Sequence, residues 1–322
     1  MTTARLPRTA ALLGCGAVGS VLLPALRTHK VRIVAAWNRT PRTPQWRSGA
    51  LPRAIREAEM VILSVADAAI ALLCAELVSQ RLIGPGQTVA HLAGALDLTA
   101  LQPALLCGAR IGSMHPLRAV PPGSRADAFA GATAGIDGSD DEARGQLTAL
   151  AQTLGMEPLA VSGSRALYHA AAVLAGGSLV ALFAEAVRAF QSATGATETE
   201  ARTALLPLAR GAFDTLASRT PAQAVTGPVP RGDAATLAAH LSSLEAHDSR
   251  TAALYRELAK LSLALARSAT RAAPEQLSAV ERILELPALA SPSLQALRSG
   301  AATKGDPARP RQSAKKPVTR KR

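Results

Sequence analysis

Residues 14 to 19 read Gly14-Cys15-Gly16-Ala17-Val18-Gly19, directly after the apolar run Ala10-Ala11-Leu12-Leu13. A helical pattern from Val18 to Arg27 follows. Strand, glycine turn and helix in that order form a dinucleotide-binding fingerprint. The first glycine permits the sharp turn, the second lets backbone approach a pyrophosphate, and the third lets helix and strand pack closely. Free N–H groups and the helix dipole at Gly16, Ala17, Val18 and Gly19 would then favour the anion.

The next strand, Val31 to Trp37, ends in Asn38-Arg39-Thr40. A chain that binds NAD ordinarily places Asp or Glu here, on the ribose 2′-hydroxyl. This chain has no Asp or Glu before Glu57, and Arg39, Arg42 and Arg47 supply cations instead. Cations with amide and hydroxyl donors suit a 2′-phosphate, so the expected cofactor is NADP. The alternative is that these arginines only solvate a surface loop.

A length of 322 residues accommodates two domains. Aromatic residues make up only 2% of the chain, so Ala, Leu and Val must fill the core. Cys15, Cys74 and Cys107 are scattered, odd in number and without metal-ligand spacing. They point to a cytoplasmic protein with neither a disulfide framework nor a metal site. The net charge of +13 is concentrated at one end: Arg298 to Arg322 holds nine Lys or Arg and one Asp, which places +8 there. Such a tail reads as disordered and solubilising, without a specific nucleic-acid partner. The stretch Ala166 to Ala184 has no charged residue and nearly the length of a membrane span. Its glycines, Tyr168 and His169 favour a buried helix, and no membrane association is expected.

Strands alternate with helices up to about Ser162. The strands are read at Met60–Val65, Thr88–Leu92, Arg110–Met114, Thr133–Ile136 and Pro158–Val161. Helices are read at Ala68–Gln80, Asp97–Leu105 and Asp141–Leu154. The expected fold is an α/β doubly wound, mainly parallel sheet of the Rossmann type over residues 1–162. An all-helical domain over 163–287 follows, and then the basic tail 288–322. Helical patterns cover Ser164–Thr194, Glu198–Ser218, Ala234–His247, Asp248–Arg271 and Pro274–Leu286.

Several segments together resemble one family: the fingerprint, Trp37-Asn38-Arg39-Thr40, Val61 to Asp67, His91 to Leu96, Gly112 to Leu117, Tyr168 to Ala172 and Thr226 to Asp233. They look like the bacterial proteins that join a Rossmann-like domain to a helical C-terminal domain of unknown function. Wider relatives include pyrroline-5-carboxylate reductase, ketopantoate reductase and the 3-hydroxyacid dehydrogenases. The resemblance spans roughly residues 8 to 270. It implies an NADP-linked oxidoreductase, dimeric through its helical domain. Relatives often carry Ser where this chain has Ala93, and Ser-Asn where it has Gly176-Gly177. The lysine of the hydroxyacid dehydrogenases is absent from the corresponding helix.

Candidate catalytic residues are His115, His169 and Arg231. His115 follows a predicted strand and would stand at its carboxyl edge, with Pro116 stiffening the loop. A histidine titrating near neutrality can protonate a carbonyl oxygen as hydride arrives. A structural histidine at the sheet edge is the competing reading. His169 begins the long helix, where it either handles a proton or joins helix packing. Arg231 suits a substrate carboxylate or phosphate, or an internal salt bridge. His91 and Tyr168 read as structural, and Asp233 as an N-cap. The cofactor set is Gly14, Gly16, Ala17, Val18, Gly19, Asn38, Arg39, Thr40, Val65 and Asp67, although Asp67 fits a helix cap better than a ribose contact. The substrate would be a small, anionic carbonyl or imine compound. A chain that binds NADP without turnover, as a sensor or scaffold, is the alternative.

Overall fold

The computed structural model describes residues 5–286 except Pro122. The basic tail expected over 288–322 lies outside the described residues. The chain divides into two compact units, 1–181 and 182–322. The division comes later than the expected break at 162, because the helix Arg165–Ala175 belongs with the sheet unit.

The first unit is built on seven strands: β1 (Thr9–Leu13), β2 (Arg32–Trp37), β3 (Met60–Leu63), β4 (Thr88–His91), β5 (Arg110–Leu117), β6 (Thr133–Gly138) and β7 (Glu157–Ala160). Their order is β2-β1-β3-β4-β5-β6-β7, parallel except for the β5–β6 pair. The chain crosses from β2 over β1 to β3, which opens a crevice at the carboxyl ends of these strands. β1 is buried along its whole length, as a central strand covered on both faces must be. Its alternating residues feed two clusters: Ala10 and Leu12 join Leu22, Leu26 and Met114, whereas Ala11 and Leu13 join Ile70, Leu77 and Ile111.

The helices of this unit are α1 (Ala17–Thr28), α2 (Asp67–Ser79), α3 (Gln102–Leu106), α4 (Asp141–Thr153) and α5 (Arg165–Ala175). Asp140 caps α4 by accepting from the Ala143 N–H at 2.8 Å, and Ser164 caps α5 through the Leu167 N–H at 3.2 Å. The helix expected over Asp97–Leu105 is a 3-10 turn, Leu98–Leu101, that leads into the short α3. Asp97 accepts from the Thr99 N–H there, and the tight turn places α3 close under the sheet.

The single helix expected over Ser164–Thr194 is interrupted. Gly176, at φ −121° and ψ −90°, ends α5, and α6 (Gly177–Thr194) starts anew. A glycine has no Cβ to hold it in the helical well, so the break falls there. Nor is this stretch buried as expected: Leu167, Leu174 and Val180 are about 70% exposed. By length and composition the stretch Arg165–Thr194 would cross a bilayer, but the break at Gly176 divides it.

The helical unit holds most of α6 with α7 (Glu198–Leu216), α8 (Pro221–Ala224), α9 (Ala234–His247), α10 (Ser249–Ala269) and α11 (Pro274–Glu285). Its core joins Leu237 and Leu241 of α9 to Leu263 and Ala266 of α10 and to Leu277 and Val280 of α11. An apolar groove of about 620 Å³ lies among α6, α7, α9 and α10. Within it His240 Nδ1 meets the Tyr255 hydroxyl at 2.9 Å.

Candidate functional site

The turn between β1 and α1 has the geometry that the glycine spacing implies. Gly14 adopts φ +111°, a backbone conformation that side-chain-bearing residues rarely reach. Gly19 has no room for a Cβ, which would strike the Gly14 carbonyl oxygen and come within 3.0 Å of Ser64 Oγ. Around Gly16 the space is open, the nearest atom to a built Cβ being Ser64 O at 3.8 Å. Two glycines therefore serve packing, and the middle one faces free space. Gly16 is the N-cap of α1, no side chain caps the helix, and its first turn carries no acid. The opening N–H groups have no intrahelical acceptor, an arrangement that favours an anion.

A groove of about 370 Å³ runs past this turn. Gly14, Gly16, Asn38, Arg39, Thr40 and Val65 line it, as does Arg42. Arg47 takes another part: its backbone N–H and carbonyl bond to Ala36 and Asn38, extending the edge of β2. Asn38 works as a clamp. Its Oδ1 accepts the Cys15 N–H at 2.9 Å and its Nδ2 donates to the Thr40 carbonyl at 2.8 Å. The amide therefore shapes the glycine turn, a task a carboxylate could only half perform because it lacks the donor. Asp67 is not the cap expected of it: Ala66 holds the N-cap position, without a side-chain bond, and Asp67 is the exposed first residue of α2. Its charge still favours the helix end through the dipole. Leu72 and Glu76 of α2 also border the groove. Both lie one turn or more from the motif, beyond what a pattern of glycines signals.

A second group of polar side chains gathers where α5 meets β4, β5 and β6. His115 does not stand in a loop after its strand. β5 continues to Leu117 because it pairs antiparallel with β6, and His115 lies opposite Gly135 within that ladder. Its Nδ1 is 3.1 Å from the Tyr168 hydroxyl, and its ring meets His169 edge-on with centroids 5.5 Å apart. Gly94 and Gly135 make room for this packing: a Cβ on Gly94 would come within 2.8 Å of His115 Nε2 and collide with His169 Nδ1, and one on Gly135 would collide with the Tyr168 hydroxyl.

Nor does His115 titrate near neutrality. Burial, reinforced by His169, Arg165 and His91, pushes its pKa down to about 4. It is a neutral imidazole at pH 7, able to accept or donate a hydrogen bond but without an imidazolium proton to give. Burial raises the Tyr168 hydroxyl, partly offset by the Arg165 charge. His91 ends β4, is fully buried, and contacts the Asp97 carbonyl through Nε2 at 3.3 Å. Burial lowers its pKa too.

Arg165 is the residue that the sequence reading missed. It is buried to 5% exposure, its Nη2 donates to the Ala93 carbonyl at 3.1 Å and its Nε to that of Leu96 at 3.4 Å. Its Cζ lies 5.2 Å from the centre of the Tyr168 ring. The i, i+3 spacing of Arg165 and Tyr168 on α5 was the available signal.

Arg231 sits in the helical unit, exposed at the end of the 3-10 turn Val229–Arg231. Asp233 caps α9 as expected, accepting the Thr236 N–H at 3.0 Å. The Thr236 contacts, helped by the Arg231 charge, hold its carboxyl below the usual range.

Comparison with known proteins agrees with this architecture. Residues 2–116 match the profile described as a Rossmann-like domain, and residues 132–262 match a domain of unknown function, DUF2520. A Bacteroides fragilis protein provisionally named an NADP oxidoreductase is 23% identical, with 79% of this chain and 97% of that chain aligned at a TM-score of 0.62. A Thermotoga maritima protein is 21% identical over 81% of this chain and 100% of its own, also at 0.62. A pyrroline-5-carboxylate reductase from Coxiella burnetii is 17% identical over 88% and 100%, at 0.52. At these identities the likeness is one of fold. No curated protein matches the sequence. The chain carries an N-terminal Rossmann-like domain followed by a C-terminal DUF2520 domain.

Proposed function

We propose that this protein is an NADP-dependent oxidoreductase acting on a small carbonyl or imine compound. One observation carries the reading: the groove beside the glycine turn combines an uncapped helix N-terminus, open space at Gly16 and the cations Arg39 and Arg42. Backbone N–H groups of Ala17 and Val18 would hold a pyrophosphate. Arg39, Arg42 and Thr40 would hold a 2′-phosphate, at the place where a chain selecting NAD carries a carboxylate. Bound there, NADP would supply a hydride donor or acceptor.

The proton belongs to the chain's own residues. Tyr168 and His115 form a donor–acceptor pair at 3.1 Å in which both partners are neutral at pH 7. Such a pair passes a proton without building a lone charge in a half-buried place. His169, edge-on to His115, bounds the same space.

Exposed Leu174 and Val180, with Leu206 and Leu208 of α7, support a homodimer. The three free cysteines fit a reducing cytoplasm. Titration of the full chain with NADPH and NADH tests the cofactor: tighter NADPH binding is expected, and equal affinity rejects the 2′-phosphate assignment. A screen of NADPH consumption over keto acids and imines tests turnover. Firm binding with no turnover would favour the second reading, a sensor or scaffold. That reading draws on Ala93 and Gly177, which offer no polar side chain.

A further inference from the structure

The second polar group contains an imbalance. Arg165 is buried, yet no carboxylate among the described residues forms an ion pair with it. Two of its nitrogens donate to backbone carbonyls, and Nη1, fully enclosed, has no partner. Asp97 and Asp137 act on it only at a distance. His169 Nδ1 is likewise buried without a partner. The two side chains border the same short segment: Arg165 holds the carbonyl of Ala93 through Nη2, and His169 Nδ1 abuts Gly94. Two further orphans, His91 Nδ1 and Ser113 Oγ, sit on register-paired residues of β4 and β5.

Buried polar atoms are nearly always paired, and a buried guanidinium stays charged. A water could satisfy the hydrogen bonds but not the charge. The complement to these donors is an anion with two acceptor oxygens and little bulk. We infer that Arg165 is the carboxylate-recognising group of this site, offering Nη1 together with His169 Nδ1 to the two oxygens of a small ligand's carboxylate. A planar carboxylate presents two oxygens side by side, whereas a tetrahedral phosphate turns its further oxygens away from these two donors. The glycine groove is a separate place, built on β1, β2 and β3, whereas Arg165 serves the segment after β4 and the β5–β6 pair. The inference deepens the oxidoreductase reading and rests on it for calling the ligand a substrate; the anion site itself rests on the unpaired donors. It also moves the anion-binding role from Arg231 to Arg165.

The test is calorimetric titration of the full chain at pH 7 with oxalate and with inorganic phosphate, alongside NADPH. Oxalate should bind one per chain, more tightly than phosphate. Arg165→Gln should weaken oxalate by about 10- to 100-fold, the usual range for a hydrogen bond to a charged group. Arg165→Lys should weaken it less, and NADPH affinity should hold in both variants. No oxalate binding by the wild type, phosphate binding as tightly as oxalate, or unaltered oxalate binding by Arg165→Gln overturns the inference. If Arg165→Gln does not fold by circular dichroism, His169→Ala decides: weaker oxalate binding with NADPH retained supports the site, and unchanged binding overturns it. NADPH reports on the oxidoreductase reading separately. Arg165-dependent oxalate binding without NADPH binding keeps the site and rejects that reading; the converse keeps the reading and rejects the site.

Discussion

The Gly19 Cα stands so close to the Gly14 carbonyl oxygen that no Cβ fits between them, whereas the space over Gly16 is open. The two positions therefore separate folding from binding. Gly19→Ala should destabilise the chain by about 1–3 kcal/mol, the usual cost of overpacking. Gly16→Ala should leave the denaturation midpoint nearly unchanged and weaken NADPH at least several-fold. Urea unfolding paired with NADPH titration checks both, and equal loss of stability in the two variants would contradict the assignment.

Arg39→Ala and Arg42→Ala should each weaken NADPH by roughly 10-fold or more while changing NADH little, because only the former offers a 2′-phosphate to the guanidinium. The effect should shrink as salt rises, since both arginines border an open groove. A loss shared equally by the two cofactors would mean that the cations act elsewhere on the nucleotide.

Asn38 ties the glycine turn to the end of β2, and Asn38→Ala removes all three of its side-chain bonds. The Cys15 N–H, part-buried, then loses its acceptor. A loss of about 1–2 kcal/mol in unfolding free energy is expected. Asn38→Asp keeps the acceptor but not the donor, and should restore some NADH binding by placing a carboxylate where a ribose hydroxyl would lie. Unchanged cofactor preference in that variant would show that the arginines alone set it.

His115 gives a pH signature. Its pKa falls from 6.5 to about 4 in the folded chain. Between those values the unfolded chain binds a proton that the folded chain refuses. The stability that His115 contributes is therefore present above pH 6.5 and is lost as pH falls toward 4. His115→Gln should flatten the slope of unfolding free energy against pH in that window. Ring-proton titration by NMR should place the His115 midpoint near 4, and a midpoint near 6.5 would refute the burial argument.

The glycine turn, the β1-α1-β2 unit and the helical second half were legible because each depends on local chemistry: special backbone at Gly14, apolar runs and the cap Asp233. The positions that escaped depend on long-range pairing. Nothing near Met114 signals that β5 runs on through Pro116, since that follows from β6, some twenty residues later in the chain. Asp67 looked like a cap because acids are frequent at helix starts, yet the turn after β3 places Ala66 at the boundary. Arg165 carries no local signal of burial, and only the approach of α5 to the Ala93–Leu96 segment buries it. Gly176 lies inside the helical pattern Ser164–Thr194; its break in the helix depends on backbone angles that composition does not fix.

The antiparallel pairing of β5 with β6 sets the mechanical character of the second polar group. A histidine on a loop can be carried toward a ligand by loop closure, but His115 lies within the β5–β6 ladder, opposite Gly135, and is held by the strand. Adjustment must then come from the helix side, through Tyr168 and His169, so substitutions near the break at Gly176 should tune this site more than substitutions in the loop that follows Leu117.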